Sequence, residues 1–293
     1  MPWILQLAAE CDTIAKNDNG VNAMFSQYLE LVQQKKPLVH CITNYVTVND
    51  CANMVLACGA SPIMADDVQE VEDITTICNS LVINIGTLNA RTIASMIKAG
   101  KKANQLGHPV ILDPVGAGAS ALRTNTVLQL LQEVKFTAIR GNISEIKTVA
   151  LGSGTTKGVD ADVADEVNAQ TLPEVLAFAK ALARQTGAVI IITGPQDIIT
   201  DGEQSCIVSN GHAMMSRITG SGCMLTCLLG AYLAAGPDSA FAACAAAVAE
   251  MGLAGEIAYQ PGCGTLTFRT GLLDAISTMT GETLNGGARV AYL

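Results

Sequence analysis

Short apolar runs without polar alternation recur along this chain, and stretches of helical character separate them. Clear examples lie at residues 80–85, 109–112 and 188–193. A strand that is apolar on both sides must be covered on both sides, as parallel strands inside a sheet are. The pattern therefore predicts an α/β fold in which helices flank both faces of a central, mostly parallel sheet.

The predicted strands and helices alternate from residue 23 to residue 193. Strands are predicted at 37–43, 61–64, 80–85, 109–112, 137–140 and 188–193, and helices at 23–35, 46–58, 68–78, 89–106, 124–134 and 172–186. A hairpin is predicted at 197–209, with strands at 198–200 and 205–208 and a turn at Asp201 and Gly202 between them. We expect residues 1–20 to be an N-terminal extension and residues 21–293 to form one domain.

Charge and hydropathy argue against nucleic acids and membranes as binding partners of this chain. The net charge is −9 and the basic residues are scattered, which argues against a surface that binds DNA or RNA. The most apolar stretch, 224–258, is broken by Gly236-Pro237-Asp238 and carries Glu250 and Glu256. It therefore predicts two buried helices and no membrane span.

The ten cysteines contain no C-x-x-C pattern and no neighbouring histidine cluster, so we expect no zinc site. The first eleven residues include Glu10 but neither lysine nor arginine, unlike a secretory signal. We therefore expect a cytoplasmic protein whose cysteines are free thiols.

The strongest local signal is Gly220-Ser221-Gly222-Cys223, which opens the apolar helix predicted at 224–235. A Gly-Ser-Gly turn lets the backbone approach a ligand, and the start of a helix presents N–H groups and a partial positive charge to a phosphoryl group. A tight turn without any ligand is the alternative, and G-x-G alone does not decide between them. The G-K-[ST] of a P-loop is missing.

Acidic and basic residues follow two of the predicted strands. Asp113 lies at a strand end beside the glycine-rich loop 114–118, where it is suited to hold Mg²⁺ through water. Arg140 ends the strand at 137–140, and Asn142 and Glu145 open the next helix. The spacing of that last pair is also that of a capping box, and the functional alternative is that Glu145 shares one metal with Asp113.

Other polar or polarizable residues lie at further strand ends. Thr193 either hydrogen-bonds a nucleotide or only satisfies the end of its strand. The segments 40–46 and 59–64 could line the binding site of a small neutral substrate. Met64 suits a flat, sulfur-containing ring because its thioether is polarizable, although a single methionine is more often a core residue.

Seven short motifs occur in one order along the chain. They are I-T-N at 42–44, G-A-S-P-I-M at 59–64, N-I-G-T at 84–87, D-P-V-G-A-G at 113–118, R-G-N-x-x-E at 140–145, I-T-G at 192–194 and T-G-S-G-C at 219–223. Together they closely resemble the hydroxyethylthiazole kinases, from about residue 37 to about residue 275. The ordered set is far more specific than any one motif.

The resemblance implies a ribokinase-like fold and a kinase that uses ATP and Mg²⁺. Its phosphoryl acceptor would be the primary alcohol of 4-methyl-5-(2-hydroxyethyl)thiazole, in thiamine biosynthesis or salvage. It also implies a homotrimer with active sites at the subunit interfaces.

The resemblance also assigns roles to individual residues. The thiazole site would comprise Met64 and Gly220, with Asn44, Val46 and Gly86 nearby. Arg140, Thr193 and Asn142 would bind ATP, and Asp113 and Glu145 would bind the metal. The catalytic turn would comprise Gly220, Gly222 and Cys223. Cys223 occupies the position where many ribokinase-like relatives place an aspartate base.

Two other enzyme classes on the same scaffold remain open at this point. One is a kinase for another heterocyclic alcohol, hydroxymethylpyrimidine or pyridoxal, which Cys223 and Met64 argue against. The other is an ATP- or ADP-dependent dehydratase of a nicotinamide hydrate, which would need an acidic residue where Cys223 stands. A binding module without catalysis is disfavoured because Asp113, Glu145 and the Gly220–Gly222 turn are all present.

Overall fold

A nine-stranded sheet organises the residues that the structure, a computed structural model, describes: 22–152 and 170–293. The strands are β1 (Leu38–Ile42), β2 (Ser61–Ile63), β3 (Ser80–Asn84), β4 (Val110–Asp113), β5 (Ala138–Gly141), β6 (Val189–Ile192), β7 (Asp197–Thr200), β8 (Ser205–Val208) and β9 (Val290–Tyr292). Their order across the sheet is β2-β1-β3-β4-β5-β6-β7-β8-β9. The first six strands in that order run parallel and the last three antiparallel, so the predicted mostly parallel sheet is confirmed.

Helices cover both faces of this sheet, as predicted. In the described residues they are α1 (Asn22–Lys35), α2 (Val48–Ala57), α3 (Val71–Ile77), α4 (Ala90–Leu106), α5 (Ala121–Glu133), α6 (Ile143–Gly152), α7 (Leu172–Thr186), α8 (Ser221–Ala234), α9 (Ala240–Ala258), α10 (Thr265–Ser277) and α11 (Gly281–Gly287). Helices α3 to α7 pack on one face, and α1, α2 and α8 to α11 pack on the other. A short 3-10 helix, Ala213–Arg217, precedes α8.

The two most apolar helices lie inside the second of these layers. Helix α8 packs on β1, β3 and β4 and is itself covered by α1, α2 and α9. Helix α9 has the length and hydropathy of a membrane span, but most of it is buried between other helices. Burial from several sides explains why neither helix shows a polar face.

The boundaries of the elements follow from local chemistry. The Asn89 side chain accepts a hydrogen bond from Thr92 N–H at the start of α4, and Gly107 ends that helix with a φ of 71°. Ser120 caps α5 in the same way, which places its start before the predicted residue 124.

The predicted hairpin is confirmed, with strands that end at Thr200 and begin at Ser205. Thr200 pairs with Ser205, so the hairpin loop has four residues, 201–204, and includes the predicted turn at Asp201 and Gly202. The Asp201 carboxylate stabilises this loop, because it accepts from the N–H groups of Glu203 and Gln204. Strand β9 was not predicted. The N-terminal extension at 1–20 lies outside the described residues.

Candidate active site

Asp113 lies at the carboxyl end of β4 and is completely buried. Its Oδ2 accepts hydrogen bonds from Asn84 Nδ2 at 2.8 Å and from Thr226 Oγ1 at 2.9 Å. Its Oδ1 has no hydrogen-bond partner among the described residues and lies 3.6 Å from Arg140 Nη1. Burial raises the pKa of Asp113 to about 6, with Arg140 opposing this rise and Glu145 adding to it.

An amide network joins Asp113 to the end of β1 and the start of α8. Asn84 Nδ2 also donates to Cys223 Sγ, at 3.2 Å, and Asn84 Oδ1 accepts from Asn44 Nδ2 at 3.1 Å. Asn44 Nδ2 donates in turn to Cys223 Sγ, at 3.3 Å. Asn84 was missed as a site residue, although a polar residue ending an apolar strand is the signal that singled out Asp113.

Cys223 is buried within this network at the first turn of α8. Burial raises the pKa of the Cys223 thiol to about 11, and the nearby Asp113 carboxylate adds to the rise. At neutral pH the group is therefore a neutral thiol that accepts two amide hydrogen bonds. It is poorly placed to act as a strong base.

The turn before α8 requires glycine at two positions. Gly220 has a φ of 84°, and a Cβ there would lie 2.5 Å from Thr47 Cγ2. At Gly222 a Cβ would overlap the Arg140 guanidinium group, which therefore lies directly against the start of the helix. The predicted catalytic turn and the predicted phosphate-binding arginine are thus in contact.

Arg140 and Thr193 form a pair across the neighbouring ends of β5 and β6. Arg140 Nη2 donates to Thr193 Oγ1 at 2.7 Å, and the arginine side chain is only 14 % exposed. Its buried Nε has no hydrogen-bond partner within the described residues. The guanidinium group therefore retains donor capacity that a phosphate oxygen is suited to accept.

Glu145 and Asn142 form the capping box that their spacing predicts. Glu145 Oε2 accepts from Asn142 N–H at 2.9 Å, and Asn142 Oδ1 accepts from Glu145 N–H at 2.9 Å. Glu145 Oε1 also accepts from Gly116 N–H, at 2.8 Å, which ties α6 to the loop after β4. Capping does not separate Glu145 from the site, since its charge still raises the pKa of Asp113.

These carboxylates fit a magnesium ion that phosphates and water complete. In the part of the chain that the structure describes, Asp113 Oδ1 is a buried acceptor without a hydrogen-bond partner, and the Glu145 carboxylate is near enough to interact with it. Mg²⁺ is commonly held by one or two carboxylates together with substrate phosphates. In agreement with so few protein ligands, no cluster of three or more His, Cys, Asp or Glu suited to a metal occurs among the described residues.

A cavity of about 580 Å³ opens beside Arg140 and Gly222. Its lining includes Thr193, Ser221 and Asp197, and also Leu225, Met215, Val248, Met251, Gly252 and the segment 210–213. The volume is within the range of small-molecule and cofactor sites. Sequence patterns did not indicate this second group, because its residues come from helix and loop positions without a motif.

The residues assigned to the thiazole lie on the opposite side of the Gly220–Gly222 turn, around the ends of β1, β2 and β3. A Cβ at Gly86 would lie 2.9 Å from both Asn44 Cβ and Asn84 Oδ1, so Gly86 contacts the amide network. Met64 is partly buried, directly after β2, whereas Val46 is 58 % exposed. Arg123, which was not predicted, holds this edge by donating to the carbonyls of Ile85 and Gly86.

Comparison with known proteins gives the same family across nearly the whole chain. The model of the hydroxyethylthiazole kinase family matches residues 29–282. A hydroxyethylthiazole kinase of Clostridium acetobutylicum is 57 % identical over 269 residues, covering 91 % of this chain and 98 % of the relative. That of Desulfovibrio desulfuricans is 49 % identical over 281 residues, covering 92 % and 99 %.

Solved structures agree with the fold. The structure of a hydroxyethylthiazole kinase protein from Pyrococcus horikoshii OT3 matches with a TM-score of 0.82 at 33 % identity, covering 92 % of this chain and 98 % of that one. A pyridoxal kinase from Staphylococcus aureus matches with a TM-score of 0.60 at 16 % identity, covering 88 % and 98 %. The second likeness concerns the ribokinase-like fold alone.

Proposed function

Since the chain belongs to the hydroxyethylthiazole kinase family, we propose that the site around Asp113, Arg140 and the Gly220–Gly222 turn transfers a phosphoryl group from ATP to the primary alcohol of 4-methyl-5-(2-hydroxyethyl)thiazole. The protein is a kinase of the thiamine pathway. The contact between Arg140 and Gly222 carries the assignment of the site. It places a cation and a helix N-terminus together, between a nucleotide-sized cavity and the amide network.

ATP would occupy the cavity beside Arg140, with its triphosphate at the Gly222 end. Arg140 and Thr193 would hydrogen-bond phosphate oxygens, and the apolar walls of Val248, Met251 and Leu225 would contact the base. Asn142 was assigned to ATP as well. Its side chain is the cap of α6, so any contact it makes must come in addition to that hydrogen bond.

Asp113 and Glu145 would hold Mg²⁺. When bound, the ion supplies positive charge that screens the phosphates during transfer. The protein's own part is to keep Asp113 ionised although it is buried, and Arg140 does this by lowering the pKa of that carboxyl. Arg140 therefore supports both proposed ligands, the metal and the nucleotide.

The alcohol would lie on the other side of the glycine turn, against Met64, Val46 and Gly86. The N–H groups of Gly220–Gly222 would stabilise the transferring phosphoryl group in the transition state, because the start of α8 presents partial positive charge there. Phosphoryl transfer passes through a loose transition state in most analyses, so positioning and charge stabilisation dominate. The hydroxyl proton can then leave late, which agrees with a neutral thiol at Cys223.

We also propose a cytoplasmic homotrimer whose active sites lie at the subunit interfaces. Family resemblance is the main support for this assembly. In the structure, Tyr45 and Val46 are 78 % and 58 % exposed and follow Asn44 directly, so the proposed alcohol site has an open apolar border. A second copy of the chain covering these side chains would complete that border.

The proposed function is tested by a competition among alcohols. The purified protein is supplied with Mg²⁺ and ATP and with the thiazole alcohol, hydroxymethylpyrimidine or pyridoxal, and the phosphorylated product is quantified by mass spectrometry. We expect kcat/KM for the thiazole to exceed that for the others by at least about 10²-fold, about 2.7 kcal/mol of discrimination.

Comparable turnover of pyridoxal or of the pyrimidine would contradict the substrate assignment. Release of ADP and inorganic phosphate with a hydrated nicotinamide nucleotide, together with the dehydrated nucleotide and without a phosphorylated alcohol as product, would indicate the dehydratase. Light scattering on the same samples reports whether the active species is a trimer or a single chain of 30.4 kDa.

A further inference from the structure

One wall of the cavity beside Arg140 is formed by the loop that joins β8 to the 3-10 helix. Asn210, Gly211 and His212 of this loop line the cavity, as does Met215 of the 3-10 helix. We call residues 209–212 the wall loop. None of the seven sequence motifs includes these residues, so the motifs do not indicate which contacts hold the loop in position.

A carboxylate at the end of α9 holds the wall loop. Glu256 Oε1 accepts from Gly211 N–H at 2.7 Å and from Asn210 Nδ2 at 3.2 Å. Arg289 donates to both oxygens of the same carboxylate, at 3.0 Å from Nη1 to Oε2 and at 2.5 Å from Nη2 to Oε1. Although partial burial opposes it, the hydrogen bonds from Arg289 and Gly211 lower the pKa of Glu256.

Arg289 also reaches the wall loop directly, from the residue before β9. Its N–H donates to Asn210 Oδ1 at 2.7 Å, its carbonyl accepts from Ser209 N–H at 2.9 Å, and its Nη2 donates to the Ser209 carbonyl at 3.0 Å. Asn210 is buried, and its amide donates to the Gly287 carbonyl as well. The two polar atoms of that side chain are therefore occupied by the residues that hold the loop.

Close packing leaves the wall loop little freedom on its other side. A Cβ at Gly252 would lie 2.7 Å from the backbone of Asn210, and one at Gly255 would lie 2.5 Å from Met215 Sδ. The His212 ring stacks on Tyr259, with 3.8 Å between ring centroids. The loop thus lies directly on α9, and three of the residues that set its position, Glu256, Tyr259 and Arg289, are not part of the cavity lining.

We propose that Glu256 and Arg289 are positioning residues for the nucleotide: they hold the wall loop in the conformation that contacts the base or ribose, and so set the affinity for ATP. This proposal rests on the assignment of the cavity to ATP. Neither residue lines the cavity, so each acts through Asn210 and Gly211. An exposed ion pair alone contributes little, and the Arg289 side chain is 54 % exposed, so the effect comes from the loop bonds that the pair carries.

The test is Arg289→Met, which keeps the aliphatic stem and removes the guanidinium donors. We expect KM for ATP, and the Kd of a nonhydrolysable ATP analogue, to rise about three- to tenfold. We expect kcat and KM for the thiazole alcohol to stay within about twofold, because no reacting group is touched. Arg289→Lys should recover part of the affinity, since an ammonium group can still donate to Glu256.

Two further variants distinguish failure of the positioning role of Arg289 from failure of the assignment of the cavity to ATP. Arg184→Met breaks the remote, exposed ion pair between Arg184 and Glu203 and is the matched control. We expect it to leave kcat, both KM values and the Kd of the ATP analogue unchanged. Thr193→Val removes a cavity hydroxyl on the opposite wall and should weaken ATP if the cavity is the nucleotide site. If Thr193→Val weakens ATP but Arg289→Met does not, the positioning role is overturned.

If neither Thr193→Val nor Arg289→Met changes ATP binding, the assignment of the cavity itself fails. Equal changes in kcat and in both KM values of Arg289→Met, with a lowered Tm, would mean that the pair only stabilises the fold. That outcome also overturns the proposal.

Discussion

Asp113 and Glu250 are both completely inaccessible to solvent, yet their surroundings differ in one decisive respect. Each accepts a hydrogen bond from a hydroxyl of α8, Thr226 for Asp113 and Tyr232 for Glu250. The other oxygen of each carboxylate has no hydrogen-bond partner within residues 22–152 and 170–293. Asp113 has the Arg140 guanidinium 3.6 Å away, whereas Glu250 lies on α9 between apolar helices and its pKa shows no influence of a cation.

Burial raises both pKa values, that of Asp113 to about 6 and that of Glu250 to about 7. Arg140 restrains the rise for Asp113, so this carboxyl is mainly ionised at neutral pH and can take a metal. Glu250 is close to half protonated at the same pH, with only Tyr232 to favour its charged form. Burial alone therefore does not single out the acid proposed to hold the metal, whereas the counter-charge of Arg140 does distinguish it from Glu250.

The largest difference between the two acids should appear in catalysis. Asp113→Asn removes the charge proposed for Mg²⁺ while keeping the size of the side chain. We expect kcat to fall by about 10³-fold or more, comparable with the loss of a preorganised electrostatic group. Glu250→Gln, the matched change at the other acid, should retain kcat within about twofold.

Circular dichroism and Tm of both variants establish that they fold. Near-normal activity of the Asp113→Asn protein would contradict a catalytic role for the Asp113 charge. A folded but inactive Glu250→Gln protein would show that Glu250 is also needed for catalysis, and would contradict the proposed difference between the two acids.

The second difference concerns stability against pH. The folded pKa of Glu250 lies above its ordinary value of 4.5, so the folded protein keeps a proton that the unfolded chain loses as pH rises. Stability should therefore fall between about pH 4.5 and pH 7, by about 3 kcal/mol from this group, and level off above. In Glu250→Gln this contribution is absent, and the slope remaining up to about pH 6 should come largely from Asp113 and Asp197, whose folded pKa values burial raises to about 6.

Urea unfolding at fixed protein concentration, from pH 5 to pH 8, measures these slopes. The diagnostic window is pH 6 to 7.5, where wild type should still lose stability and Glu250→Gln should not. Parallel curves for the two proteins across that window would mean that Glu250 does not hold its proton in the folded state.

A smaller effect on activity than that of Asp113→Asn is expected at Cys223, whose thiol is neutral beside Asp113. Cys223→Ala removes an acceptor for two amides but no charge, so activity should fall by no more than about 10²-fold, the lower end of the general-base range. Cys223→Asp should remain active and could be faster, because it places a carboxylate at the same turn. Steady-state kinetics of both variants beside Gly220→Val measure this.

Gly220→Val is the reference for a broken turn, since Gly220 has a positive φ and contacts Thr47. A folded Cys223→Ala protein that binds both substrates but does not turn over would show that the thiol is an obligatory catalytic group.

Several features of this molecule could be predicted from the sequence because they depend on residues close together in the chain. Unbroken apolar runs predict buried parallel strands, and the end of such a run places Asp113 and Arg140 at one edge of the sheet. The capping box of Asn142 and Glu145 has a three-residue spacing, and its geometry is as predicted. The Gly220–Gly222 turn was likewise visible as a local pattern.

The sequence by itself thus determined the layered fold, the edge of the sheet at which the proposed site lies and the short motifs assigned to it. Only the tertiary structure decided that Asn44 and Asn84 meet Cys223, that Arg140 lies against Gly222, and that Glu256 and Arg289 hold the wall loop. The reason is physical. Strand and turn patterns arise from backbone and solvent preferences of neighbouring residues, whereas these contacts join residues far apart in the chain and depend on how helices α8 and α9 pack over the sheet.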